Sequence, residues 1–211
     1  MRLSLVGMSG SGKSYWSKKL SKSGFRRFCC DDMIAAKLEL DLGKKHGSIG
    51  TVGRWMGFPF EPQYKEREAK YLTCETDVMS KILDELGRAG DRPGKNIVVD
   101  TTGSVIYTSE AILAKLREST IIVHLSTPLE IQKAKLESYI QKPRPVLWRD
   151  LFMRRPDETN EQALARCYPL LLASRETQYE RLAHVTMSYY RHRSGQFGVE
   201  EFLRDAGVGV T

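Results

Sequence analysis

The chain lacks long hydrophobic runs, and its few cysteines follow no recognised spacing. None of the apolar runs in its 211 residues is long enough to cross a bilayer. The first of them, Leu3–Val6, is too short for the apolar core of a signal peptide and is predicted to be a strand. The cysteines fit neither a disulfide framework nor a metal site, so we expect reduced, mostly buried thiols in a cytoplasmic protein. They are Cys29, Cys30, Cys74 and Cys167.

Positive charge is not concentrated in any one segment. The formal net charge is +7, from 33 basic and 26 acidic side chains, and the basic ones are spread along the chain with only short clusters such as Arg191–Arg193. A nucleic-acid interface would concentrate them among aromatic residues, so this pattern disfavours nucleic acid as a partner, and an RNA-associated protein rests on the charge alone. A protein that handles ATP and an anionic substrate also accumulates positive charge. The chain has no internal repeat and no low-complexity tail. We therefore predict one domain over residues 1–211, without an indication of its oligomeric state.

The segment Gly7–Ser14 has the spacing G-x-x-x-x-G-K-S of a phosphate-binding loop. It follows the apolar run and precedes a helix-compatible stretch, the context that such a loop requires. Lys13 can reach the β- and γ-phosphates of a nucleotide, and the Ser14 hydroxyl can bind Mg²⁺. A glycine-rich turn that binds nothing does not explain why Lys and Ser follow the last glycine. The predicted ATP-binding residues of this segment are Gly7, Met8, Ser9, Gly10, Ser11, Gly12, Lys13, Ser14 and Tyr15.

Strand-like and helix-like segments alternate along the chain, which predicts an α/β fold with a parallel sheet and right-handed crossovers. Ligands of such a sheet gather at the carboxyl ends of its strands. The predicted strands are Leu3–Val6, Phe25–Cys30, Asn96–Val99, Thr120–Leu125 and Ala183–Tyr189. The predicted helices are Lys13–Ser23, Met33–Lys45, Tyr64–Arg88, Ser109–Glu118, Pro128–Ile140 and Glu161–Arg181.

Two stretches interrupt this alternation. Residues 46–63 contain four glycines and two prolines, which is typical of an irregular substrate-side loop or of a plain surface connection. Residues 141–159 combine three prolines with four arginines, which predicts a mobile lid with few apolar contacts that folds over phosphates. Residues 190–211 follow the last strand as a C-terminal extension.

Acidic residues stand at the ends of two predicted strands. Asp100 can hold Mg²⁺ directly or through water, and the alternative is that it caps the turn through the N–H of Thr102 or Gly103. Asp31 and Asp32 follow the second strand, where one is expected to cap the next helix and the other to orient a substrate hydroxyl or take its proton.

Arginines provide the remaining candidates. Arg144, in the predicted lid, can neutralise charge that develops on a transferring phosphoryl group. Arg175 can bind a phosphate or a carboxylate through two parallel hydrogen bonds. For any single arginine, a solvated surface position is the more common case, and the place of Arg144 in the lid is what distinguishes it.

The order of these motifs resembles that of the shikimate kinase branch of small P-loop kinases, from the first strand to about Met187. Each later motif is weak alone, and their order carries the resemblance. The motifs are Asp31 after the second strand, Glu61–Leu72 for E-x-x-F-R-x-x-E-x-x-x-L, Thr102–Gly103 for the glycine corner, Val123–Pro128 for V-Y-L-x-x-P, Arg144–Leu147 for R-P-L-L, and Arg175, Tyr179 and Ala183 for R-x-x-x-Y-x-x-x-A.

The resemblance implies a three-layer α/β/α P-loop kinase with a five-stranded parallel sheet and a lid, using ATP and Mg²⁺. It implies roles that follow the family's motifs. The catalytic residues would be Lys13, Asp31 and Arg144, with Arg144 also binding ATP; the substrate would contact Asp31, Lys65, Arg67, Gly103 and Arg175; and the metal would contact Ser14 and Asp100.

The acceptor half departs from the family pattern. Lys65 replaces the substrate-clamping arginine, only Gly103 of a glycine triplet remains before Ser104 and Val105, and Cys29 replaces the first aspartate after the second strand. Lysine lacks the two-pronged geometry that an arginine offers to a carboxylate. We therefore expect an ATP-dependent kinase that phosphorylates a hydroxyl of a small acceptor, with anionic acceptors among the candidates and shikimate a poor one. The alternative is an inactive or regulatory nucleotide-binding protein.

Overall fold

The computed structural model describes residues 1–39, 49–89, 96–142 and 144–208. Its centre is one sheet of five strands in the order β2-β3-β1-β4-β5. Every pairing between neighbouring strands is parallel. The strands are β1 Arg2–Val6, β2 Arg26–Cys29, β3 Ile97–Asp100, β4 Ile121–Leu125 and β5 Val185–Met187.

Helices connect the strands, as parallel pairing requires. Two of them have clear N-terminal caps: the Ser109 hydroxyl accepts from Ile112 N–H, and Thr159 forms a reciprocal capping box with Gln162. Short 3₁₀ helices cover Val105–Tyr107 and Arg149–Leu151. The α-helices are α1 Lys13–Lys22, α2 Cys30–Glu39, α3 Ile49–Met56, α4 Tyr64–Ala89, α5 Glu110–Ser119, α6 Leu129–Gln141, α7 Asn160–Leu182 and α8 Val199–Asp205.

Alternate residues of the strands face two separate apolar layers. Val99 and Ile122 pack with α2, α4 and α7, whereas Val98 and Val123 pack on the other side with α1 and α8. Because successive side chains of a strand point to opposite faces, a sheet buried on both sides reads as a continuous apolar run. The three-layer α/β/α architecture predicted from the sequence is confirmed.

The predicted strands all appear within two residues of their expected bounds, but the expectation for residues 46–63 is partly wrong. Ile49–Met56 forms helix α3, in which Val52 and Met56 are buried in the main core. One turn apart, these two side chains share a helix face, and their burial outweighs the low helix propensity of the nearby glycines. Residues 46–48, and residues 40–45 of the predicted second helix, lie outside the described residues.

The lid prediction for residues 141–159 rested on few apolar contacts, and this premise is wrong for its first half. Val146, Leu147 and Trp148 are buried, and Trp148 lies edge-on to Phe152 with 5.5 Å between ring centroids. The segment is irregular, as expected, but its first half is anchored to the core. Mobility therefore stays a prediction for the exposed part around 153–157.

Candidate functional site

The loop between β1 and α1 has the backbone of a phosphate cradle. Gly7, Gly10 and Gly12 have positive φ angles of 140°, 75° and 114°. A Cβ atom at Gly7 would lie 2.7 Å from the Leu125 carbonyl oxygen and 2.9 Å from Ser11 Oγ. Only glycine fits there, because both the backbone angle and the space exclude a side chain. The tight turn leads directly into the N-terminus of α1, where unpaired N–H groups favour an anion.

Lys13, the first residue of α1, folds back over this loop. Its Nζ donates to the carbonyl oxygens of Gly7 at 2.6 Å and Met8 at 2.9 Å. Burial lowers the pKa of Lys13, while the nearby carboxylates of Asp100 and Asp31 act in the opposite direction. The ammonium is thus held at the loop, where the β- and γ-phosphates of a nucleotide would meet it.

Two further cations contact the loop, and the sequence analysis singled out neither. Lys135, in α6, donates from Nζ to the Ser9 carbonyl oxygen, and Arg193 donates from Nη2 to the Gly10 carbonyl oxygen at 3.1 Å. Burial and then the charge of Lys13 lower the pKa of Lys135 to about 8. Lys135 is one of two lysines on its helix, and no spacing distinguished it from Lys133.

A cavity opens between the phosphate loop, the start of α2 and the turn after β3. Seven residues predicted from the sequence line it: Met8, Ser9, Lys13, Asp31, Gly103, Arg144 and Arg175. The structure therefore brings together, in one cavity, the predicted phosphate-binding lysine and most of the predicted acceptor-binding residues.

Asp31 is the half-buried acid of this cavity. Burial raises its pKa to about 6, although the charge of Lys13 opposes the shift. Helix α2 begins at Cys30, so Asp31 and Asp32 both lie in its first turn, and the prediction that one of them caps the helix is wrong. Asp32 is exposed. Asp31 is thus the aspartate that faces the phosphate loop.

Arg175 joins the lid segment to the turn after β3. Its Nη2 donates to the Leu147 carbonyl oxygen at 2.7 Å, and its Nε donates to the Tyr107 hydroxyl at 3.3 Å. A Cβ at Gly103 would lie 3.6 Å from Arg175 Nη1 and 3.6 Å from the Ser9 backbone nitrogen. Gly103 therefore lies next to both the phosphate loop and the guanidinium, at distances where a Cβ atom would make ordinary contacts.

Behind this turn lies a buried acid that the sequence analysis missed. Glu75, in α4, is 1% exposed and accepts hydrogen bonds from the hydroxyls of Thr102 and Ser104, the latter at 2.7 Å. Burial raises the pKa of Glu75 to about 7 against the opposing effect of these two hydroxyls. Ser104 lines the cavity, whereas Val105, expected to crowd the same corner, is buried in the core.

Asp100, the predicted metal ligand at the end of β3, is held by a hydrogen-bonded ion pair. Its Oδ2 accepts from Arg27 Nη2 at 2.6 Å and from Ser17 Oγ at 2.9 Å. Arg27 Nε donates to the same serine hydroxyl at 2.7 Å. The carboxylate is 3% exposed. Its donors are Arg27 and Ser17, whereas the turn-capping alternative requires the N–H of Thr102 or Gly103. Ser14 lies apart, on the exposed side of the first turn of α1.

Lys65 and Arg67 do not line the cavity. Lys65 is exposed on α4, and Arg67 donates from Nη1 to the Trp55 carbonyl oxygen while its guanidinium lies 5.8 Å from the centre of the Trp55 ring. Their neighbours in the same motif hold the lid segment instead, since the Tyr64 hydroxyl accepts from Trp148 N–H at 2.9 Å, and Glu68 accepts from Arg149 N–H at 2.9 Å.

A second cavity lies beside the loop, against Gly12. Its lining includes Tyr15, which was predicted, and residues of the C-terminal extension, which were not: His192, Arg193 and Phe197. The extension is part of the core, because Phe202 of α8 stacks on Trp16 with 4.6 Å between ring centroids. None of the helices in the described ranges is long and apolar enough to span a membrane.

Comparison with solved structures places this fold among shikimate kinases. The chain superposes with a TM-score of 0.57 on the Acinetobacter baumannii shikimate kinase in complex with shikimate, at 25% identity over 96% of this chain and 87% of that one. The shikimate kinases of Aquifex aeolicus, at 20% identity over 98% and 96%, and of Bacteroides thetaiotaomicron, at 15% over 97% and 95%, give the same TM-score. No family model and no curated protein matches the sequence. The chain has the shikimate kinase-like P-loop kinase fold.

Proposed function

We propose that this protein transfers the γ-phosphoryl group of ATP to a hydroxyl of a small acceptor. The observation that carries the proposal is the shared cavity, which Lys13 of the phosphate loop lines together with Asp31 and Arg175. A phosphoryl group bound at the loop would thus face an acid and an arginine across one cavity, and phosphoryl transfer depends mainly on such positioning and charge.

The chain's cations are arranged to hold the nucleotide. The N–H groups of the loop and Lys13 would bind the β- and γ-phosphates. Lys135 and Arg193, whose side chains already contact the loop carbonyls, would add charge from two other sides. The second cavity, which Tyr15 and Phe197 help to line, is next to the loop and would hold the nucleotide base.

Asp31 would orient the attacking hydroxyl and take its proton as the new O–P bond forms and the bond to ADP breaks. A pKa raised to about 6 brings its basicity closer to neutral pH than that of an exposed aspartate. Because the base must be ionised, turnover is expected to rise as pH increases through about 6. Arg144, which lines the same cavity from the lid segment, would neutralise charge on the transferring group.

The residues present fit Mg²⁺ only in part. When bound, the ion would neutralise charge on the β- and γ-phosphates. The Ser14 hydroxyl stands on the exposed side of α1, next to Lys13, and would be its protein ligand. Asp100 Oδ2 is committed to Arg27 and Ser17, so we assign Asp100 a role through water rather than direct ligation.

Acceptor-dependent ATP consumption across a panel of small alcohols, including shikimate, tests the proposal. Asp31→Asn should retain nucleotide binding and lose turnover by about 10²-fold or more, the range of general-base catalysis. Asp32→Asn is the matched control, because this exposed neighbour should tolerate the change. Nucleotide binding without turnover on any acceptor would favour a regulatory nucleotide-binding protein. Equal activity of the two variants would remove Asp31 from the mechanism.

A further inference from the structure

The hydroxyls in the corner after β3 are oriented by the acid behind them. Thr102 donates to one carboxylate oxygen of Glu75 and Ser104 donates to the other, at 2.7 Å. A hydroxyl has one proton and two lone pairs, so a hydroxyl whose proton is directed at Glu75 offers only lone pairs elsewhere. Both residues line the cavity, and toward it they offer lone pairs, of which Thr102 Oγ1 keeps one after accepting from Ser104 N–H.

One backbone donor of the same corner is also occupied. Ser104 N–H donates to Thr102 Oγ1 at 3.1 Å, which removes the donor that a bare glycine turn would offer to an anion. Tyr71 lines the cavity beside them and also interacts with Ser104. A wall built in this way, with a buried carboxylate behind it, favours ligands that donate hydrogen bonds.

Of the cations that line the cavity, Arg144 would serve the transferring phosphoryl group, and the other three are held by oxygens of the protein. Lys13 and Lys135 are bound to carbonyl oxygens of the phosphate loop, on the nucleotide side. Arg175, on the acceptor side, already donates from Nη2 to Leu147 and from Nε to the Tyr107 hydroxyl. Apart from Arg144, a carboxylate on the acceptor would meet a guanidinium that already donates from two of its three nitrogens, and two hydroxyls whose protons are directed at Glu75.

From this arrangement, and resting on the proposed kinase activity, we infer that the acceptor is a small polyol without a carboxylate, whose hydroxyl or amino groups donate to Thr102 and Ser104. Asp31 lies in the same cavity and adds a second acidic group, which disfavours an anionic acceptor further. The specificity-determining residue would be Glu75, acting through the two hydroxyls that it orients.

The test compares matched acceptors that differ only in a carboxylate against a hydroxymethyl group: glycerate with glycerol, gluconate with glucitol, and shikimate with its reduced alcohol. Assays at pH 8 keep Glu75 ionised, since its pKa is about 7. The groups that act on it are the hydroxyls of Thr102 and Ser104, Asp31, Arg175, Tyr71, Cys30 and Tyr179. We expect the best substrate to be an alcohol, with kcat/KM at least about tenfold above that of its carboxylate partner, the loss typical of one unmatched charged hydrogen bond.

Two variants test the part played by Glu75. Glu75→Gln should reduce the ratio of kcat/KM between alcohol and carboxylate several-fold while Mg·ATP binding, measured by calorimetry, is unchanged. Asp84→Asn is the matched control, because Asp84 lies on the same helix and is 61% exposed. Ser104→Ala, which removes one of the oriented hydroxyls, should reduce the same ratio if Glu75→Gln does not fold.

The outcomes separate this inference from the proposed function. Turnover that favours the carboxylate members, or that does not discriminate within about threefold, would overturn the inference and leave the kinase activity standing. Nucleotide binding without turnover on either series would overturn both. An unchanged ratio in both variants would remove Glu75 and Ser104 from acceptor recognition.

Discussion

Replacing Glu75 with glutamine should change how stability depends on pH. The pKa of Glu75 is raised from the ordinary 4.5 to about 7, mainly by burial, so the folded state favours the protonated acid. The stabilisation from this group is fully present below the unfolded pKa of about 4.5 and is lost as pH rises through the folded pKa of about 7. Glutamine does not titrate, so Glu75→Gln should lack this loss.

The expected magnitude follows from the two pKa values. Between pH 5 and pH 8 the ionisation of Glu75 should cost the wild type about 2–3 kcal/mol of unfolding free energy, on the scale of 1.36 kcal/mol per pKa unit. Relative to the wild type, Glu75→Gln should therefore be about 2–3 kcal/mol more stable at pH 8 than it is at pH 5. Urea unfolding of both proteins at the two pH values measures this, and Asp84→Asn provides the control. A difference between variant and wild type that stays constant within about 0.5 kcal/mol would refute a buried, titrating Glu75.

Three further changes test the rest of the site. Lys13→Ala should nearly abolish Mg·ATP binding, since Lys13 supplies charge directly to the β- and γ-phosphates, and calorimetry with unchanged affinity would contradict the phosphate-loop assignment. Asp100→Asn should lower the unfolding free energy by about 2 kcal/mol in urea, because Arg27 loses a charged hydrogen bond, whereas exposed Asp84→Asn should change it little. Amide hydrogen exchange should be slow at 146–148 even without ligand, because these residues are buried. Fast exchange there would instead support the prediction that the whole of residues 141–159 is mobile.

The fold was predictable because its signals are local. A strand buried on both faces appears as a short apolar run, and the glycines of the phosphate loop have fixed offsets from Lys13. Helix α3 was missed because glycine suggests a loop, and only tertiary packing of Val52 and Met56 explains the helix. In the same way, the burial of Trp148 could not be inferred from a segment rich in proline and arginine.

The residues of the candidate site could be predicted only where their position in a local sequence motif indicates their role. Lys13 and Asp31 follow from their positions after strands, and the structure places both in the cavity. Lys135 and Glu75 act through partners distant in sequence, since Glu75 binds Ser104 from 29 residues away and Lys135 binds Ser9 from 126 residues away. Such pairs become visible only when the chain is folded.

The motif at Glu61–Leu72 is joined by hydrogen bonds to the segment 141–159. Tyr64 and Glu68 do not face the cavity as substrate ligands; they hold the backbone of 146–149 through hydrogen bonds to Trp148 and Arg149. Arg175 holds the same segment through Leu147, directly beside Gly103. Because these contacts fix the lid backbone, the motif order can persist for structural reasons while the acceptor corner changes at Ser104. Similarity in motif order therefore supports the kinase fold more strongly than it supports shikimate as the acceptor.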